Sequence, residues 1–226
     1  MNPLSLIFPT DRSIGTVTVG PFDRPEEWFE LCEARGNVIV PSGKEVRLFI
    51  DARVDFDPNL LSNFDPQSLA ILEWVSSSRI TDEAISHIQH LSGLKGLAVW
   101  ETSLGDDGLA HIRHLHNLQW LDIGDTKITD NGLAELSELP LLYDLSLLND
   151  CITDEGLRKL TTLVRLRGLD LMHTRVTDAG IEVLGNMNHL ASLRIFETGI
   201  TEAGYVRLRT ALPNCQINFH DPHFAR

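Results

Sequence analysis

Hydrophobic and polar positions follow a fixed order that returns every 24 residues over the C-terminal two thirds of the chain. Each copy opens with Ile-Thr-Asp or a close variant, and no insertion separates one copy from the next. The six copies begin at Ile80, Leu104, Ile128, Ile152, Val176 and Ile200. Because one copy cannot bury its own leucines, the pattern predicts a solenoid in which stacked copies share one continuous core.

The spacing inside one copy predicts a helix followed by a short strand. Leu109, Ile112 and Leu115 recur at helical intervals, and Leu121 and Ile123 then alternate with polar residues. Each helix should begin at the Thr-Asp pair, with threonine as N-cap and the aspartate favoured by the helix dipole. Strands are expected near residues 97–99, 121–123, 145–147, 169–171 and 193–195. The predicted fold is α/β, a right-handed βα superhelix with strands on the concave face and helices on the convex face.

Two rows of small residues recur in phase with the copies. Glycine weakens a helix, so its recurrence at one helical position predicts a close approach of the neighbouring copy. These glycines are Gly108, Gly132, Gly156, Gly180 and Gly204. A row of side-chain oxygens predicts a ladder that satisfies backbone groups between copies. This row contains Thr102, Thr126, Asp150, Thr174 and Thr198.

The segments on either side of the copies predict caps. Leu72 and Trp74 fit an earlier inward-facing strand, while Ile217 and Phe219 fit a last strand that ends at His220. We therefore predict that residues 69–226 form the repeat domain with a C-terminal cap.

Residues 1–68 carry strand signals without the period. Residues 15–20 alternate, and residues 37–41 could turn through Ser42-Gly43 into residues 45–50 as a hairpin. Residues 25–32 predict a short amphipathic helix whose apolar contacts are Trp28, Phe29 and Cys32. We predict a small β-rich unit that caps the open edge of the solenoid.

These motifs resemble those of a known family. Ile-Thr-Asp-x-Gly-Leu-x-x-Leu resembles the leucine-rich repeats of F-box substrate receptors. The threonine row, the closing Leu212-Pro-Asn-Cys and the segment 37–50 resemble bacterial, planctomycete-like leucine-rich repeat proteins. The resemblance implies a leucine-rich repeat solenoid that binds a protein. Residues 1–70 contain no F-box-like segment, so the resemblance favours a bacterial protein over a ubiquitin-ligase substrate receptor.

Composition and charge limit the classes of ligand that the chain could bind and the cellular compartment in which it is expected. A net charge of -13 argues against nucleic acid and anionic membrane as ligands, and favours a basic partner. Three scattered cysteines predict reduced thiols. No apolar run is long enough to span a bilayer, and the start of the chain lacks the basic region of a signal peptide. The expected location is the cytoplasm.

The strand phase also predicts a binding surface. One outward-facing column consists of Trp100, Gly124, Leu148, Met172 and Phe196. Large apolar side chains at such positions predict an exposed patch that anchors a partner. With their neighbours, the predicted partner-binding residues are Trp100, Trp120, Leu148, Met172, Phe196, Asp122, Asp144 and Asp170. Three alternatives remain: the N-terminal unit or a C-terminal loop covers this surface, the curvature of the solenoid buries it in self-contact, or the column assembles a homo-oligomer of this chain.

The sequence supports a catalytic or metal site less well than it supports a binding surface. His87, His90, His111 and His114 form i,i+3 pairs that could hold a divalent ion, but they belong to the convex side and have no carboxylate in phase. No phosphate loop, nucleophile elbow or HExxH motif is present. Acidic residues on adjacent strands lie about 4.8 Å apart in any solenoid, so they do not indicate catalysis. We predict a protein–protein interaction module, without a metal, a cofactor or an enzymatic activity.

Overall fold

One long sheet dominates the structure, a computed structural model that describes residues 4–219. Its ten strands lie in the order β12-β11-β10-β9-β8-β7-β6-β5-β2-β3, and β1 pairs with β4 in a separate two-stranded sheet. The strands of the described residues are β1 (Leu4–Ile7), β2 (Gly15–Gly20), β3 (Phe29–Glu33), β4 (Asn37–Val40), β5 (Glu45–Ile50), β6 (Ile71–Trp74), β7 (Gly96–Ala98), β8 (Trp120–Asp122), β9 (Asp144–Ser146), β10 (Gly168–Asp170), β11 (Ser192–Arg194) and β12 (Gln216–Asn218). Strands β5 to β12 run parallel, which confirms the predicted solenoid, and the repeat strands begin one residue earlier than expected.

Helical segments begin at or next to the Thr-Asp pairs, as predicted. The α-helices are α1 (Asp82–Ser86), α2 (Asp106–Ile112), α3 (Asp154–Leu160), α4 (Ile181–Asn186) and α5 (Glu202–Ala211). Segments of 3-10 helix occupy Pro25–Glu27, Pro58–Asn63, Gly132–Glu138 and Asp178–Gly180. Thr81, Thr153, Thr177 and Thr201 accept a backbone N–H as N-caps, whereas Gly105 gives α2 no side-chain cap.

The core is formed by the predicted positions of each copy. The helical residues Leu109, Ile112 and Leu115 and the strand residues Leu121 and Ile123 are all buried. Full burial of one such side chain stabilises the fold by about 1.5–3 kcal/mol, so the stacked copies supply most of the hydrophobic contribution. At the ends of the repeats, Leu72 and Trp74 are buried, and Ile217 and Phe219 pack against the core. The predicted stop at His220 lies outside the described residues.

An aspartate in each of the first five copies is hydrogen-bonded to a residue one copy later. Asp106, Asp130, Asp154 and Asp178 each accept both the backbone N–H and the hydroxyl of a threonine, at 2.6–2.9 Å. The recurrent glycines lie against these carboxylates. At Gly156, for example, a Cβ would lie 2.3 Å from Asp130 Oδ1. The structure therefore confirms the predicted close approach and identifies the group that approaches.

The threonine row behaves differently from the prediction. Thr102, Thr174 and Thr198 donate their hydroxyls to carbonyls three residues earlier in their own copy, at 2.7–2.8 Å. Only the bonds from Thr126 to Asp150 join two copies in this row of the described residues. The predicted ladder between copies is therefore wrong for most of the row, because the threonine hydroxyl bonds to a carbonyl within the turn of its own copy.

The N-terminal strands continue the same sheet. β5 pairs in parallel with β6 and antiparallel with β2, and β3 pairs with the other edge of β2. Val46, Leu48 and Ile50 of β5 are buried, so this strand carries the repeat core beyond the first copy. Because the sheet and the core both cross residue 68, the division into units 1–68 and 69–226 stays a prediction.

Two local predictions in this region are wrong. The segment 37–50 is not a hairpin: β4 pairs with β1, and β5 lies in the long sheet, where it covers the edge of β6. The predicted helix over 25–32 is limited to Pro25–Glu27, and Phe29–Glu33 is the strand that pairs with β2. Pairing with the open edge of β2 satisfies more backbone groups than one helical turn would. Phe29 is consequently exposed instead of buried.

Candidate functional site

Two rows of side chains cross the concave face, the surface of the sheet that is opposite to the helices. Residues in a row are aligned from strand to strand by the parallel pairing. The first row is Arg47, Ile71, Gly96, Trp120, Asp144, Gly168, Ser192 and Gln216. The second row is Phe49, Glu73, Ala98, Asp122, Ser146, Asp170, Arg194 and Asn218. Four predicted site residues, Trp120, Asp122, Asp144 and Asp170, belong to these rows.

A depression of about 540 Å³ lies in the middle of the concave face and is called the central depression below. Its walls carry Trp120, Tyr143, Asp122, Asp144, Asp170 and Arg194. The structure therefore brings together one of the two predicted tryptophans and all three predicted carboxylates. Tyr143 was not predicted, because it lies one residue before β9. Its only sequence signal is an aromatic residue beside Asp144.

Small residues in the first row shape the central depression. The indole of Trp120 lies over Gly96, where a Cβ would be 2.2 Å from the ring. Asp144 leans toward the opposite side, over Gly168, where a Cβ would be 2.7 Å from its Oδ2. Because these neighbouring side chains lean apart, the space between them stays open. Either glycine, replaced by a larger residue, would push its neighbour into this space.

The carboxylates of the central depression are unequally paired. Asp170 is 7% exposed, binds Arg194 Nη1 at 2.9 Å and accepts the Met172 N–H at 2.9 Å. The side chain of Asp144 has no hydrogen bond within residues 4–219, and its pKa is raised by burial and then by the charges of Asp170 and Asp122. Burial also raises the pKa of Asp170. When ionised, the three carboxylates face a single guanidinium, which leaves an excess of two negative charges.

Two further depressions follow the central one in sequence toward β5. The first, of about 500 Å³, shares Trp120 and Tyr143 with the central depression, and the second, of about 440 Å³, shares Gln119 with the first. Phe22 lines both of them, and Trp28 lines the first together with Ile71. The loop between β2 and β3 thus covers this end of the concave face. The alternative that the N-terminal unit covers the face applies here and does not extend to the central depression.

The predicted apolar column lies beside the depression instead of within it. Trp100 is 38% exposed, whereas Leu148, Met172 and Phe196 are half-buried. None of these side chains is among the residues that line the central depression. Leu148 packs near Gly124, and the ring of Phe196 contacts that of His173 edge-to-face at 6.0 Å. The predicted surface therefore consists of two adjoining parts, and their role in binding stays a prediction.

A row of polar residues in the left-handed conformation borders the column. Ser76, Glu101, Asp125, Asn149, His173 and Glu197 have φ between 52° and 58°. Ser76, Glu101, Asp125, Asn149 and His173 each donate the backbone N–H to a carbonyl of the next copy, as Asp125 does to Leu148 at 2.6 Å, so the pairing continues beyond the strands. Side-chain contacts at 2.7–2.8 Å join Ser76 to Glu101, Asn149 to Asp125 and His173 to Glu197. A polar border of this kind limits the apolar surface to the column.

The candidate metal ligands are engaged elsewhere. His87 Nδ1 lies 2.8 Å from Ser62 Oγ, and His90 Nε2 lies 3.0 Å from the carbonyl of Phe64. Within residues 4–219, no group of three or more His, Cys, Asp or Glu side chains is placed to hold a metal ion. The same part of the chain has no helix of the length and hydrophobicity that a membrane crossing requires.

Known proteins that resemble this chain share its repeats and its solenoid. The family described as Leucine Rich repeat matches residues 114–137 and 166–185. An internalin (inlF) of Listeria monocytogenes aligns at 20% identity over 73% of this chain and 51% of its own, with a TM-score of 0.53. Internalin C2 of the same organism aligns at 23% identity over 73% of this chain and 66% of its own, with a TM-score of 0.58. This chain spans about half of the first internalin. No curated protein matches the sequence.

Proposed function

We propose that this chain, a leucine-rich repeat protein, binds a basic protein or peptide on its concave face. Solenoids of this class commonly present one curved surface to a protein partner. The observation that carries the proposal is the central depression, where aromatic walls meet an excess of two negative charges. Aromatic side chains are frequent anchors of interfaces, and unpaired carboxylates attract a basic partner and favour its association.

The apolar column extends this proposed surface. The exposed indole of Trp100 offers a second anchor, and Leu148, Met172 and Phe196 add an apolar strip between the depression and the polar border. A partner that lies across both parts would contact all eight predicted residues. The proposal includes no catalytic activity. The cytoplasm is the proposed compartment, supported by free thiols at Cys32, Cys151 and Cys215.

Affinity capture from an extract of the source organism tests the proposal. The wild-type chain is expected to retain a specific basic protein, identified by mass spectrometry. The variant with Trp100→Ser and Trp120→Ser should lose that protein. Val164→Ser is the matched control, because Val164 is 69% exposed and lies outside the concave face. Equal capture by the double variant and the control would refute the proposal, and chemical denaturation of each variant shows that it is folded.

Light scattering separates partner binding from the homo-oligomer alternative. A monomer is expected, because Leu148, Met172 and Phe196 are half-buried and Trp100, at 38% exposure, is the one large apolar side chain of the column that is exposed. A dimer that Trp100→Ser dissociates would favour self-assembly over the binding of a different protein.

A further inference from the structure

We propose that the space between Trp120, Tyr143 and Asp144 is a subsite for one arginine side chain of the partner. This inference rests on the proposed function, since it names the group that the concave face would recognise. It narrows the predicted acidic surface to one carboxylate with two aromatic neighbours. It also assigns different roles to Asp144 and Asp170.

The distribution of charge along the concave face points to the central depression. In the depression nearest β5, Arg24 pairs with Glu27 and Lys95 pairs with Glu45. In the next one, Arg47 pairs with Glu73 at 2.6 Å. Arg24, Lys95 and Arg47 thus have carboxylate partners, and Lys44, which also lines the depression nearest β5, lies over the ring of Phe29 at 5.9 Å. The excess of negative charge therefore lies in the central depression, where a ligand cation would complete the pairing.

Within the central depression, Asp144 is the carboxylate that remains available. Arg194 holds one oxygen of Asp170 at 2.9 Å, and the Met172 N–H holds the other at 2.9 Å. Asp122 Oδ1 accepts a long bond from the Gly124 N–H at 3.3 Å. The Asp144 carboxylate accepts no hydrogen bond from any residue within 4–219, is exposed to the depression, and faces the like charges of Asp170 and Asp122. A guanidinium in the depression would supply the hydrogen bonds that the Asp144 carboxylate lacks, and would add a second positive charge to that of Arg194.

The aromatic walls favour arginine as the source of the cation. Trp120 is held over Gly96, so its ring has a fixed position on one side of the space. Tyr143 is 40% exposed and borders the same space next to Asp144 in the chain. A planar guanidinium can stack on an indole while its N–H groups bind a carboxylate, which a compact ammonium does less well. The depression, at about 540 Å³, has room for one such side chain with its flanking backbone.

A titration followed by nuclear magnetic resonance tests the subsite with a defined probe. The probe is acetyl-Gly-Arg-Gly-amide, and its control is the same peptide with citrulline, which keeps the shape of arginine without its charge. The indole N–H signal of Trp120, assigned with Trp120→Phe, should shift and saturate with the arginine peptide. Binding of the citrulline peptide should be roughly tenfold weaker or absent.

Variants that are expected to change the affinity for the arginine peptide in opposite directions make the test specific. Asp144→Asn should weaken the arginine peptide roughly tenfold. Asp107→Asn, which removes one negative charge from helix α2 on the convex side, should leave its affinity unchanged. Arg194→Gln should strengthen binding, because it frees Asp170 for the ligand. The backbone spectrum of each variant reports whether it is folded.

The outcomes separate this inference from the proposed function. Equal binding of arginine and citrulline peptides, or unchanged affinity in Asp144→Asn, would overturn the subsite. Weaker binding in Arg194→Gln would overturn it as well. If the subsite fails while Trp100→Ser with Trp120→Ser still abolishes capture of the partner, the concave face binds by other contacts and the proposed function stands.

Discussion

Asp130 holds Thr153 of the next copy at two points. Its Oδ1 accepts the backbone N–H at 2.9 Å, and its Oδ2 accepts the hydroxyl at 2.6 Å. The same hydroxyl accepts the N–H of Glu155 as the N-cap of α3. Gly156 then leaves room for the Asp130 carboxylate. Aspartate, threonine and glycine of the repeated motif thus form one joint between neighbouring copies.

A larger side chain at the glycine should disrupt this joint, because it would occupy the space of the aspartate carboxylate. Gly156→Leu is expected to lower the free energy of unfolding by about 1–3 kcal/mol, because its side chain would collide with Asp130 despite a better helix propensity. Chemical denaturation measures the change. Ala134→Leu is the control, since Ala134 is exposed in the equivalent helical segment of another copy and should change stability by less than about 0.5 kcal/mol. An unchanged midpoint for Gly156→Leu would contradict the role of the glycine.

One copy has an incomplete joint that can be repaired. Gly105 replaces the threonine, so Asp82 accepts only its N–H at 2.7 Å, and α2 has no side-chain cap. Gly105→Thr should therefore stabilise the fold by about 1 kcal/mol by adding a cap and a second bond to Asp82. Gly105→Ala is the control that adds a side chain without the hydroxyl. Thermal unfolding should rank threonine above alanine, and the reverse order would exclude the joint as the cause.

Asp150 should make stability depend on pH. It is 3% exposed, and its Oδ2 has no hydrogen-bond partner within residues 4–219. Burial is the main cause that raises its pKa to about 7. The folded chain therefore keeps a proton that the unfolded chain loses at lower pH, so stability falls as pH rises from about 4 to about 7 and stays lower above that.

Replacement of Asp150 tests this dependence. Asp150→Thr introduces the residue of the other copies and removes the buried carboxyl. Its advantage over the wild type should grow from pH 5 to pH 8 and reach at most the order of 4 kcal/mol. Denaturation at several pH values measures it, with Asp107→Asn as an exposed control. A constant difference between variant and wild type across this range would show that Asp150 is not the titrating group.

The pair of Asp170 and Arg194 should control association with a basic partner. Asp170→Asn leaves Arg194 unpaired in the central depression, so the binding rate should fall and its dependence on salt should weaken. Adding Arg194→Gln restores the net charge of the wild type and should recover most of the rate. Surface plasmon resonance with the captured partner compares the two variants. If the association rate of the double variant stays low, Asp170 affects binding through the local structure and not through its charge.

The repeats could be predicted closely because their signals are local and recur. Leu121 and Leu145 lie on adjacent strands at the expected phase, and this phase also placed Trp120 and Asp122 on the concave face. The pairing of β4 with β1 joins segments that are distant in sequence, and four-residue strands carry too little pattern to identify a partner.

The central depression depends on packing between strands. The lean of Trp120 over Gly96 and the pairing of Asp170 with Arg194 each involve two copies. Strand phase gives the face on which a side chain lies, but it does not give the direction in which that side chain leans. For the same reason Tyr143 could not be predicted as a site residue, because it precedes β9 and the strand phase assigns it to neither face.

The joint between copies also separates the architecture from the site. If residues 128–151 were deleted, Asp106 would meet Thr153 and Gly156 in the same relation that it has to Thr129 and Gly132. The shortened chain would keep its stacking rule and lose Asp144 with Tyr143. Whole copies can therefore be gained or lost by recombination while the contacts between neighbouring copies stay the same. The recognition surface changes at each such event.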